Sequence, residues 1–162
     1  TLDAGRAEAA DAAQDILRAA VVERHKGTGH IGLGFLRGYG LQSGAVATSI
    51  SHDSHNIIVV GASEEDCAAA VNRVVELNGG IVVWNGGRPA AEVSLAIGGI
   101  MSDEPLETVN EKLEAAKAAA YALGVNQGID PFMTLSFMAL PVIPTLRITT
   151  QGVFDVGSQS YV

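Results

Sequence analysis

A dense group of polar and titratable residues stands directly before an apolar run in the sequence. The stretch is ISHDSHNIIVV, residues 50–60, and residues 51–56 within it are two serines, two histidines, one aspartate and one asparagine. Imidazole and carboxylate groups at this density can transfer protons, bind a divalent metal or hydrogen-bond a polar ligand. The alternative is a turn whose side chains satisfy one another and the local backbone. The residues alone leave both interpretations open.

The histidines give only a weak indication of a metal site. The chain has four, all within residues 25–55: His25, His30, His52 and His55. The H-x-x-H spacing brackets Asp53, yet a metal site needs three or four ligands that converge in space. The single Cys67 excludes a CxxC zinc site and the H-x-E with P-C-x-x-C signature of zinc deaminases. No metal is expected in this chain, and the four histidines are kept as the alternative.

Composition limits the class of protein. The chain has 162 residues with 48% hydrophobic content, which suits one folded domain. A net charge of −8 argues against nucleic acid or an anionic membrane as a partner. No apolar run reaches the roughly 18 residues that a membrane span requires. One cysteine is typical of a reducing compartment, and a start at Thr1 rather than Met is typical of a processed chain or a fragment.

The apolar runs on either side of the polar loop predict the elements that position it. Residues 44–50 and 56–61 are expected to form strands. Ser63, followed by three acidic residues, predicts the N-cap of a helix that ends near Leu77. Further upstream, the Ala-rich residues 6–23 have apolar side chains at helical spacing and predict an N-terminal helix.

Glycines recur at alternate positions between the N-terminal helix and the loop. GTGHIG, residues 27–32, matches the G-x-G-x-x-G pattern literally, but it follows a predicted helix and precedes a predicted strand, which is the wrong order for a dinucleotide site. In a strand, alternate residues share a face, so the glycines would leave one face open to close approach by a helix of the same domain or by a ligand. The glycines of this face are Gly32, Gly34, Gly38 and Gly40, and the opposite face carries Ile31, Leu33, Phe35, Tyr39 and Leu41.

The second half of the chain repeats the order of the first. Residues 81–84 and 90–97 predict a hairpin, and Ser102 predicts the N-cap of a helix that ends near Leu123. Two strands, a serine cap and a helix thus occur twice. The prediction is an α/β fold of the α+β type: a duplicated ββα unit, a mixed or antiparallel sheet with packed helices, the N-terminal helix and a closing C-terminal hairpin over 146–149 and 153–156.

Several blocks of the sequence resemble, in order, the C-terminal domain of bacterial adenine deaminases, which belong to the amidohydrolase superfamily. The blocks are ERHKGTGHIGLGFLRGYGL, SHDSHNIIVVG, AVNRVVELNGG, MSDEP and DPFMTLSFMALPVIPTLRIT. They cover about residues 15–156. The predicted organisation is therefore an extension or helix start over residues 1–14 and an adenine-deaminase C-terminal-like domain over residues 15–162.

The resemblance implies an activity for the parent enzyme. The family converts adenine and water to hypoxanthine and ammonia in purine salvage, using Fe²⁺ or Mn²⁺ held by a barrel with an H-x-H motif, and its members are oligomeric and cytoplasmic. This sequence contains no H-x-H, and its 162 residues are too few for a (β/α)₈ barrel, which takes about 250. We expect the barrel and its metal ligands to lie outside this chain, and the isolated chain to be inactive.

The resemblance also suggests a role for the polar loop. The family's SHDSHN motif is matched at residues 51–56, and we expect this loop to face the barrel mouth and help close the purine site. The candidate site residues are Ser51, His52, Asp53, His55 and Asn56, with Met133 and Met138 as an apolar cover. Expected partners are the barrel of the same enzyme, its substrate adenine and further copies of the chain. The alternative is a stand-alone module that binds a small ligand or oligomerises without catalysis.

Overall fold

The computed structural model describes residues 10–162, which form two antiparallel sheets and three α-helices. A short 3₁₀ turn, Ala12–Gln14, precedes the first strand. The strands are β1 Ile16–Val22, β2 Ile31–Arg37, β3 Ala45–Thr48, β4 Ile57–Gly61, β5 Gly80–Asn85, β6 Arg88–Ser94, β7 Leu146–Thr149, β8 Gly152–Asp155 and β9 Ser160–Tyr161. The helices are α1 Glu64–Glu76, α2 Leu106–Ala122 and α3 Pro131–Met138.

The main sheet has six strands in the order β2-β1-β4-β3-β5-β6, and every pair is antiparallel. Strands β3 and β4 lie in the middle, and all of their residues are buried. Strands of this kind read as continuous apolar runs because both faces of the sheet are covered. The smaller sheet, β7-β8-β9, is formed by the C-terminal hairpin and one further short strand.

Helices lie on both faces of the main sheet. Helix α1 packs over β3, β4 and β5 and buries Ala70 and Val74. Helices α2 and α3 pack on the opposite face together with the β7-β8 hairpin, where Ala116, Ala120 and Leu135 join the larger core. The order strand, strand, helix does occur twice, as β3-β4-α1 and β5-β6-α2. The two helices nevertheless cover opposite faces, so the two units do not pack in the same way.

The predicted N-terminal helix over residues 6–23 is wrong where the structure describes it. Residues 16–22 form strand β1, and residues 6–9 lie outside the described residues. Burial alternates along the strand, with Leu17, Ala19 and Val21 buried on the core face. Alanine has the highest helix propensity, but propensity is a small energy per residue, and pairing with β2 on one side and β4 on the other outweighs it.

The prediction that the glycine-lined face admits a close neighbour is confirmed for Gly32 and Gly34. A β-carbon at Gly32 would collide with the carbonyl oxygen of Thr149, and one at Gly34 would lie 3.0 Å from Val153 and 3.1 Å from Ile148. The neighbour is the C-terminal hairpin rather than a helix. Gly38 and Gly40 lie beyond the end of β2 and have positive φ, so they belong to the turn after it.

The other element boundaries follow their sequence signals to different degrees. Ser63 caps α1 by accepting a hydrogen bond from the Asp66 N–H. Helix α2 begins after Pro105 instead of at the predicted cap Ser102, whose hydroxyl accepts from the Glu104 N–H within the preceding loop. The hairpins β5-β6 and β7-β8 are confirmed. Helix α3, capped by Asp130, was not predicted from its uniformly apolar sequence. Across residues 10–162, no helix has the length and apolar character that crossing a membrane requires.

Candidate functional site

The polar loop, residues 51–56, connects β3 to β4 at one end of the main sheet. Because β1 and β4 are antiparallel and Val22 pairs with Ile57, the residues that follow β1 lie beside the loop. The loop that follows β6, residues 96–101, and the second half of α3 reach the same end of the sheet. Three segments that are distant from the polar loop in sequence therefore meet around it.

Arg24 ties two of these segments to the polar loop. Its side-chain Nε donates to the His55 carbonyl at 2.7 Å, and Nη2 donates to the Gly98 carbonyl at 2.8 Å. Its backbone N–H donates to Oδ1 of Asn56 at 3.2 Å. A side chain on Gly99 would occupy the space of the guanidinium group, so a glycine is needed there. Next to it, Nε2 of His25 hydrogen-bonds the Ser54 carbonyl at 2.7 Å.

Helix α3 holds the other side of the loop. The His52 N–H lies within hydrogen-bonding distance of the Ser136 carbonyl, at 3.1 Å, and of the Ser136 hydroxyl, at 3.2 Å. The His52 imidazole stacks on Phe137, with ring centroids 5.3 Å apart and planes inclined by 14°. The position and plane of the His52 ring are thus fixed by two consecutive residues of one helix.

Two buried polar atoms of the loop have no hydrogen-bond partner within residues 10–162. They are the Ser51 hydroxyl oxygen and Nδ1 of His55. Buried polar groups in native proteins are nearly always paired, so unpaired ones call for an explanation such as a bound water, a ligand or a missing partner. The ring centroids of His52 and His55 lie 6.3 Å apart, so the unpaired Nδ1 has a second imidazole nearby.

His55 is held in its neutral form. Burial lowers its pKa below the ordinary value, and the neighbouring His52 and Arg24 lower it further, while Asp53 opposes them. A neutral imidazole has one donating and one accepting nitrogen. At neutral pH, His55 can therefore either donate to or accept from a polar ligand.

A metal site around the loop would need several ligand side chains close together. Across residues 10–162, no group of three or more His, Cys, Asp or Glu side chains is placed to hold a metal ion. His25, His52 and His55 lie around the loop, whereas His30 is an exposed residue just before β2. The structure does not bring the four histidines together as one set of ligands.

Exposed apolar side chains lie on the two segments that approach the polar loop from β6 and α3. Ile97, Ile100 and Met101 lie on the loop after β6, and Met133 and Phe137 lie on α3. Met133 and Phe137 are four residues apart and share a face of the helix. Met138 lies on a different face and packs against the main core. Of the two predicted cover residues, only Met133 is placed on the face that holds His52.

The sequence interpretation missed Arg24 and Phe137. Arg24 lies in a polar stretch after β1, and Phe137 lies in an apolar segment near the C-terminus. Neither carries a local signal for its role, since each acts on the loop from more than 30 residues away. Asp53 and Ser54 are exposed at the tip of the loop, and Ser51 is buried beneath them.

Comparison with known proteins identifies the relatives of this chain. The family model for the adenine deaminase C-terminal domain matches residues 2–160. An adenine deaminase of Bacillus licheniformis is 51% identical over 146 residues, 90% of this chain. Those of Desulfatibacillum aliphaticivorans and Bacillus subtilis are 52% and 49% identical over 152 residues, 94% of the chain. In each case the match spans 26% of the relative's length.

Proposed function

Because this chain belongs to the adenine deaminase C-terminal domain family, we propose that it is part of an adenine deaminase and that its loop 51–56 forms one wall of the purine site. The reaction replaces the amino group at C6 of adenine by oxygen from water. A C–O bond forms at C6, the C–N bond breaks, and the nitrogen leaves as ammonia. The product is hypoxanthine.

The observation that carries this proposal is the pair of unpartnered buried polar atoms in the loop, Ser51 Oγ and His55 Nδ1. Exposed apolar side chains lie on the neighbouring segments, and one of them, Phe137, stacks on His52 of the loop. A purine has a matching character: its edge carries polar ring nitrogens and exocyclic groups, and its two faces are apolar. Ligand sites commonly join a few convergent polar groups to an apolar lining. The loop is therefore suited to face a purine that the rest of the enzyme also contacts.

Residues of this chain would act by binding and orienting rather than by metal chemistry. His55, neutral at pH 7, can exchange a hydrogen bond with a ring nitrogen, and the stacked pair of His52 and Phe137 offers an apolar edge. The iron or manganese that the resemblance implies would supply an activated water for attack on C6. No side-chain group across residues 10–162 fits such an ion, so we assign the metal to the remaining part of the enzyme.

The proposal is tested by substitution in the full-length enzyme that carries this domain. His52→Ala and Asp53→Ala should each lower kcat/KM for adenine by about tenfold or more, because misplacing groups around a bound substrate is costly in rate. Their melting temperatures should stay close to that of the unaltered enzyme. Matched controls are His30→Ala and Glu111→Ala, which remove an exposed imidazole and an exposed carboxylate elsewhere. Unchanged kinetics in both loop variants would refute the proposal.

The same experiment addresses the alternative of a binding or assembly module. If both loop variants keep full turnover while adenine still raises the melting temperature of the domain, the domain binds purine without serving the reaction. We retain association with further copies and a cytoplasmic location as expectations of the proposed function.

A further inference from the structure

Within residues 10–162, the helices leave part of one face of the main sheet uncovered. Helix α1 packs over β3, β4 and β5, and the side chains of β1 and β2 on the same face lie beside it. The result is a groove of about 650 Å³ between α1 and β2. Its apolar lining includes Ala20, Val22, Ile31, Leu33, Phe35 and Val71.

The residues of this groove have the exposure and apolar character that are typical of a surface in contact with another protein. Ile31 is 55% exposed and Leu33 is 69% exposed, on a strand that lies at the edge of the sheet. Edge strands are normally protected by charged residues, prolines or bulges, yet β2 has no charged residue or proline before Arg37. The charged groups of the lining, Arg18 and Glu64, form an ion pair at 2.9 Å and neutralise each other. A neutral apolar patch of this kind marks a contact with another protein surface.

We propose that the groove is the docking surface for the part of the enzyme that precedes this domain in the same polypeptide. The inference rests on the proposed function. In the relatives about three quarters of the length lies outside the matched region, and the family is named as a C-terminal domain, so that length precedes β1. The surface of the preceding part that fits this groove is apolar and uncharged.

The position of the groove favours the preceding segment over a second copy of the chain. The polypeptide enters the main sheet at Ile16, and the groove runs along β1 from Arg18 to Val22. A domain attached upstream of β1 in the same polypeptide would have an effective concentration on the order of millimolar, which favours it over a separate copy as the occupant of this face.

The groove also extends toward the polar loop. Strand β1 has seven residues, so it spans roughly 23 Å at about 3.3 Å per residue. Its far end, Val22, pairs with Ile57 directly after the loop. A body seated on the groove thus reaches from the point of chain entry to the end of the sheet that carries loop 51–56.

The test is thiol labelling of the full-length enzyme with a bulky maleimide. Leu33→Cys places a thiol in the groove, and Val142→Cys is the matched control, since Val142 is 70% exposed on the loop before β7. The native Cys67 is shared by both variants and reacts slowly, because burial raises the pKa of its thiol to about 12. Labelling of each engineered site is followed by mass spectrometry of its peptide.

We expect Leu33→Cys to react at least about tenfold more slowly than Val142→Cys, at every protein concentration, because access requires the docked part to open. Reaction of Leu33→Cys within about threefold of the control would overturn the proposal. So would protection that disappears when the enzyme is diluted to monomers, since that result identifies a second copy as the occupant.

Labelling and kinetics separate this inference from the proposed function. If Leu33→Cys is labelled freely and His52→Ala has a lowered kcat/KM, the docking surface is rejected and the proposed purine site is retained. If Leu33→Cys is protected from labelling and the loop variants are fully active, the docking surface is retained and the proposed purine site is rejected.

Discussion

Arg24 shows how one residue can organise a site without standing in its centre. Its three hydrogen bonds fix the His55 carbonyl, the Gly98 carbonyl and the Asn56 side chain. The turn that follows is fixed by Glu23, whose carboxylate accepts from the N–H groups of Thr28, Lys26 and His25, and these bonds lower the pKa of Glu23 to about 2. The glycine-rich stretch after β1 is therefore a carboxylate-capped turn, in agreement with the rejection of a dinucleotide fingerprint.

The titration of His55 is a prediction at the same scale. Burial and the neighbouring His52 and Arg24 lower its pKa, so its NMR titration midpoint should fall below the ordinary value of 6.5. The lowered pKa also makes stability depend on pH. The unfolded state takes up a proton near pH 6.5 before the folded state does, so the contribution of His55 to the free energy of unfolding falls as the pH falls through that region. A His55→Gln variant should lose this part of the acid sensitivity. A midpoint at or above 6.5 would contradict the burial of this ring.

The sequence was enough to select the candidate residues, but not to predict how they are arranged. Residues 51–56 stood out because their polar density before an apolar run is a local property. The contacts with Ser136 and Phe137 connect residues about 84 positions apart, and no spacing in the sequence specifies such a contact. For the same reason the H-x-x-H spacing of His52 and His55 gave no information on whether His25 or His30 would approach.

At the scale of elements, strand β1 shows where periodicity misleads. The sequence ILRAAVV has apolar residues that fit a helical stripe, and alternate burial of Leu17, Ala19 and Val21 fits a strand equally well. Short apolar runs are ambiguous between the two periods, and tertiary pairing decides. The glycine strand was predicted correctly over Ile31–Arg37, where side chains at Gly32 and Gly34 are sterically excluded, but not over residues 38–41, which lie beyond its end.

The packing of the C-terminal hairpin on β2 gives a prediction at this scale. Gly32→Ala should destabilise the domain by about 3 kcal/mol, since its β-carbon would collide with backbone at Thr149, whereas Gly34→Ala should cost about 1 kcal/mol because Ile148 and Val153 can shift. Urea unfolding of the two variants measures the difference. Gly128→Ala is the control, because Gly128 is exposed and a surface substitution of this kind changes stability by less than about 0.5 kcal/mol. Equal effects at Gly32 and Gly34 would contradict the close approach of the hairpin.

The two faces of the main sheet are covered to different extents. In the described part of the chain, α2, α3 and the hairpin fill one face of the main sheet, and α1 covers part of the other. The exposed apolar residues at the polar end of the sheet and in the groove are therefore features of a domain that completes its burial against other protein. The apolar content of the sequence does not show which surface would be buried in this way.

Docking through the groove has a consequence for cooperative unfolding. Leu33→Asp should leave the stability of this domain itself nearly unchanged, because Leu33 is 69% exposed. In the full-length enzyme it should place an unpaired carboxylate in an apolar contact and weaken docking by about 2 kcal/mol or more. Differential scanning calorimetry should then resolve a separate transition for this domain, which the unaltered enzyme and the Val142→Asp control do not show. A thermogram of Leu33→Asp that superimposes on that of the unaltered enzyme would mean that the groove carries no domain contact.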